Sequence, residues 1–94
     1  MSFFIKQMIT SKLKQLSPEE LFKYAKQYGF TITQEEANSI AQYLKSHNVD
    51  PFTEKGRNTM LQELAKRTDV STAKKAHKLF TELITSYGLE HLFE

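Results

Sequence analysis

The sequence predicts an all-α fold, a compact bundle of about five short helices. Three observations carry this reading. Only three Gly and two Pro interrupt 94 residues. Apolar residues recur at helical spacing and do not alternate with polar ones over any long run. Ser or Thr is repeatedly followed three positions later by Glu, and Gly stands at the far ends of the apolar stripes, which is how helices begin and end. The length suits one unit, so residues 1–94 read as a single all-helical domain. Its 39% hydrophobic residues, including seven Phe and four Tyr, can build one core.

The first helix is expected over about residues 3–16, with Ile5, Met8, Ile9, Leu13 and Leu16 forming an apolar stripe. Ser17 then supplies an N-cap, Pro18 the first helical position, and Glu20 completes a capping box. Leu21, Phe22, Ala25 and Tyr28 form the inner face of the second helix, and Gly29 ends it in a left-handed conformation. After the short link 30–33, in which Phe30 and Ile32 pack beneath the turn, Thr33 and Glu36 form a second capping box. The third helix runs to about Ser46, with Ala37, Ile40, Ala41 and Leu44 inward, so that helices two and three make a hairpin.

The segment HNVDPFT is a connector. The residue before proline is pushed out of helical geometry, which sets a boundary at Asp50, and Phe52 is expected to anchor in the core. A fourth helix from about Glu54 to Arg67 is capped by Thr53. It buries Met60, Leu61, Leu64 and Ala65, and Gly56 weakens its first turn. TDVS is a corner, with Ser71 expected to cap the fifth helix. Ala73, Ala76, Leu79, Phe80, Leu83, Ile84 and Tyr87 face inward there, and Gly88 stops the helix. Leu64, Phe80 and Leu83 are expected to be buried on facing helices. The tail LEHLFE adds a turn that docks Leu92 or Phe93.

Composition excludes several chemistries. With no cysteine, there is no disulfide, thiolate metal site or cysteine nucleophile. The net charge of +2 is a mild excess, far short of the bias that marks nucleic-acid binders. No apolar run is long enough to span a bilayer, and the start shows no cleavable leader. The expected location is the cytoplasm. Glu19–Glu20 and Glu35–Glu36 are adjacent carboxylates that cannot face each other on a helix, so capping and the helix dipole account for them. His47, His77 and His91 lack a second ligand at metal-binding spacing. No glycine elbow or phosphate-cradling loop is present. No catalytic residue, cofactor site or metal site is assigned, and the chain is expected not to be an enzyme.

The run LAKRTDVSTAKKAHKLF, residues 64–80, resembles the start of a DNA-reading helix-turn-helix. The resemblance breaks in register. Counted from Ala65, the positions that need apolar anchors fall on Lys75 and Lys78, and Asp69 stands where the turn takes glycine. A one-residue slip rotates a helix by roughly 100°. Lys66, Arg67, Lys74, Lys75 and Lys78 nevertheless gather near this corner. They are the candidate site for an anion or an acidic partner, against the plain alternative of a solvated face. The first helix carries Lys6, Lys12 and Lys14 with no acid before Glu19. That could suit an anionic membrane surface, but an amphipathic stripe more commonly covers a core or a partner subunit.

The run YAKQYGFTITQEEANSIAQYLKSHNVDPF followed by LAKRTDVSTAKKAHKLF resembles a small family of bacterial proteins of unknown function, found mainly in spore-forming Gram-positive bacteria. The likeness covers residues 17–84 through a helix hairpin, an Asn-Val-x-x-Phe connector and a Thr-x-x-x-Thr-Ala corner. It implies a compact helical protein and brings no activity or catalytic residues. The leading expectation is a non-enzymatic adaptor domain with a protein partner, and a homodimer is compatible with it. The alternative is weak, sequence-nonspecific nucleic-acid binding.

Overall fold

A computed structural model describes residues 2–93, which form five α-helices followed by one short 3-10 turn. The helices are α1 (Ser2–Gln15), α2 (Pro18–Gln27), α3 (Gln34–Ser46), α4 (Glu54–Arg67) and α5 (Val70–Ser86), and the turn covers Glu90–Leu92. No strand occurs among the described residues, so the all-α expectation holds.

Local chemistry sets most of the boundaries. The Ser17 hydroxyl accepts the Glu20 N–H at 3.1 Å, and the Ser17 N–H donates to the Glu20 carboxylate at 3.1 Å. Thr33 and Glu36 repeat the exchange at 3.0 and 2.8 Å. These reciprocal bonds satisfy donors that the first helical turn leaves open. Gly29 and Gly88 adopt φ of 83° and 64°. After each glycine, the next N–H reaches back to Ala25 and Ile84 respectively, which closes the preceding helix. The cap of α5 differs from expectation. Asp69, not Ser71, is the N-cap, and its carboxylate accepts the Thr72 N–H at 2.6 Å. Only Thr68 and Asp69 therefore separate α4 from α5.

Helix α3 is the spine. Its inner face is built from Ala37, Ala41 and Leu44, of which Ala37 is fully buried. Small side chains let neighbouring helices approach closely. Helices α1 and α2 both pack against α3, and α5 packs on α4, which in turn meets α3. The connector closes the far end. Val49, Pro51 and Phe52 are buried, and the Asp50 side chain accepts the Phe52 N–H at 3.0 Å. The tail folds back to meet Phe52. Leu92 is buried, and the Phe93 ring lies 4.9 Å from Phe52 and 5.3 Å from Phe80, edge-on to the latter.

Several inward assignments do not hold. Met8 and Tyr87 are 58% and 73% exposed, and Tyr28 is exposed as well. Leu64, Phe80 and Leu83 are half-buried rather than buried, and Leu64 and Phe80 border an open cleft. Gly56 has a role that helix propensity hides. A β-carbon there would stand 1.8 Å from the Asp50 carbonyl oxygen, so only glycine lets the connector pass over the first turn of α4. Gly56→Ala should therefore destabilise by about 1–3 kcal/mol, against the gain that Ala brings to an ordinary helix. Denaturant unfolding would check this, and a variant as stable as the parent would show that the connector can shift at no cost.

Candidate functional site

The five cations of the expected site do not act together. Lys66 pairs with Glu63 at 3.2 Å. Arg67 donates to the other Glu63 carboxylate oxygen and, at 3.3 Å, to the Glu63 backbone carbonyl. The Arg67 guanidinium also lies over the Tyr43 ring at 4.6 Å, a cation–π contact that ties α4 to α3. Lys75 reaches the other side of the bundle, where its ammonium donates to the Gly29 carbonyl and stands 5.2 Å from the Phe30 ring. Lys74 and Lys78 are exposed, with no partner among the described residues. Lys75 and Lys78 are exposed rather than packed on α4, as their register requires.

Sequence spacing gives no sign of the cleft that opens among the helices, because its walls are drawn from all five of them. Leu13 of α1, Leu16 just beyond it, Leu21 of α2, Ile40 of α3, Leu64 of α4 and Phe80 of α5 line it, and its volume is about 240 Å³. The walls are almost wholly apolar. Tyr43, Arg57, Glu63, Arg67 and His77 bring polar groups to it. Arg57 donates to the Pro51 carbonyl at 3.0 Å. The Arg67 Nε is shielded from solvent and has no acceptor among the described residues.

Hydrogen bonds from Arg67 and Lys66 hold the Glu63 carboxyl below the usual carboxylate range. Glu20 is lowered by the Ser17 N–H and by Lys12, 3.5 Å away, and Asp69 by the Thr72 N–H. A pKa depressed in the folded state means that the unfolded chain takes up protons first as pH falls. The stability these groups contribute is complete above the unfolded values, near pH 4–4.5, and drains away as pH drops through the lower folded ones. Their share of the melting temperature should thus be flat from about pH 6 to 8 and fall below about pH 4.5. Melting curves of the parent and of Asp69→Asn should converge in acid, and parallel curves down to pH 3 would sink this assignment.

No group of three or more His, Cys, Asp or Glu side chains placed to hold a metal ion occurs among the described residues. Among the described residues, no helix is long and apolar enough to cross a membrane.

Comparison with known proteins gives a family of unknown function. Residues 1–84 match the family described as Protein of unknown function (DUF2624). The chain is also similar to the uncharacterized protein YqfT of Bacillus subtilis (strain 168), with 33% identity over 75 residues, covering 80% of this chain and 89% of that protein. No solved structure matches. The chain belongs to the DUF2624 family.

Proposed function

We propose that this chain is a small non-enzymatic protein-interaction domain, an adaptor that docks through the outer face of α1. The observation that carries the reading is the exposure of Phe3, Phe4 and Met8, at 75%, 67% and 58%. Phe4 and Met8 stand one turn apart on a common face. Scattered apolar residues are ordinary on a surface, but large ones clustered at one helix end are a feature of contact sites. The same helix has Lys6, Lys12 and Lys14 and no acidic residue. A second copy of the chain would set lysines against lysines, so the favoured partner surface is apolar and flanked by acids.

Non-specific nucleic-acid binding is the weaker reading. Three of its five cations are held by Glu63, Gly29 and the rings of Tyr43 and Phe30. What remains is Lys74 and Lys78, a short footprint for phosphates.

Phe4→Ser with Met8→Ser should change stability by no more than about 0.5 kcal/mol per site, because both side chains are exposed. The double variant should lose cross-linked protein partners that the parent captures from nuclease-treated extract. Partners that survive the double substitution would remove α1 from the reading. Partners that vanish on nuclease treatment would favour nucleic acid.

A further inference from the structure

On the reading that the outer face of α1 is a docking surface, we propose that its partner is a second copy of this chain, in a two-fold dimer where each α1 lies on the acidic C-terminal turn of the other copy.

Both surfaces carry unburied apolar side chains. Phe3, Tyr87 and Phe4 are, in that order, the most exposed large apolar residues among those described. Met8 and Tyr87 continue the inward stripes of α1 and α5 in period, yet both face solvent. A stripe that outruns its own core is the kind of surface that a partner covers.

Charge makes the two surfaces complementary. Residues 2–18 hold Lys6, Lys12 and Lys14 and no acid, whereas residues 79–93 hold Glu82 and Glu90 and no Lys or Arg. Lys12 is engaged by Glu20 of its own chain. Lys14 stands about three turns along α1 on the side that carries Phe3. It makes no ion pair among the described residues, and neither do the exposed Glu82 and Glu90. Opposite charges left free around an apolar contact fix its register and exclude wrong partners.

The two surfaces belong to one end of the molecule. The Lys6 ammonium lies 5.4 Å from the centre of the Phe52 ring, and the Phe93 ring lies 4.9 Å from that same ring. The first half of α1 and the tail therefore flank one aromatic side chain. A two-fold axis beside such a pair sets residue i of one copy on residue j of the other, and j on i. Lysines then face acids twice, whereas α1 laid on α1 would set lysines against lysines.

The test is analytical ultracentrifugation of the full chain over a range of concentrations. The mass should rise with concentration and stop at two copies. Tyr87→Ser, and Phe4→Ser with Met8→Ser, replace exposed side chains and should each weaken the dimer about fivefold or more. Lys14→Glu and Glu90→Lys should each weaken it too. Mixing those two variants should restore it as a heterodimer, read by native mass spectrometry with one variant ¹⁵N-labelled. If Lys14→Glu does not fold, Glu90→Lys and Tyr87→Ser decide the same point. A chain that stays monomeric at millimolar concentration would overturn the dimer. If Phe4→Ser with Met8→Ser then still abolishes capture of other proteins, α1 remains a docking face and only the second copy is lost. Assemblies that grow beyond two copies, a dimer indifferent to the Tyr87 or α1 variants, or charge variants that do not rescue each other would also overturn the pairing.

Discussion

The fold depends on the close contact that α3 allows. Ala37 and Ala41 present almost no side chain, and Leu44 completes the same face. Every other helix is placed by its relation to that face. Helices α1 and α2 pack against α3, and α4 meets it and carries α5. A single spine of small residues cannot fill the space between the helices gathered around it. The large apolar residues that look across it stay half-buried, and the cleft is the consequence. Replacing Ala41 by a larger residue would force the sides apart, whereas the cleft walls have room to change.

The ends of the bundle are closed by other means. At one end, Phe52, Phe93 and Phe80 bring together the connector, the tail and α5. Gly56 belongs to this closure, because it lets the Asp50 carbonyl lie directly on α4. At another edge, Lys75 joins α5 to the turn between α2 and α3 through the Gly29 carbonyl. The constraint on Gly29 itself is its backbone, because its positive φ disfavours ordinary side chains.

The parts legible in the sequence are those decided within a few residues. Both capping boxes, both glycine ends, the Pro51 boundary and the anchoring of Phe52 and Leu92 follow from local rules and are seen as expected. What the sequence does not give is which part of a stripe finds a neighbour. Met8, midway along α1, and Tyr87, at the C-cap of α5, have the right period, yet both are exposed. Ser71 and Asp69 are both good caps, and the choice depends on how early α5 turns away from α4. Gly56 reads as a weak helical residue because its partner, the Asp50 carbonyl, is a contact of tertiary structure. The cleft has no local signal, since its wall residues are drawn from all five helices and the link after α1.

The basic residues show why a charge cluster in sequence is a poor guide to a site. Lys66, Arg67, Lys74, Lys75 and Lys78 lie within thirteen positions, but a helix turns each toward a different neighbour. Lys66 and Arg67 share Glu63, and Lys75 goes to a carbonyl 46 residues away. Cations committed in this way release little counterion on meeting a polyanion, which removes the main source of non-specific affinity. Arg67 is the exception in kind. Its guanidinium is held by Glu63 on its own helix and lies over the Tyr43 ring of α3. A cation fixed in this way packs one helix against another, a structural use of charge that a solvated lysine does not make.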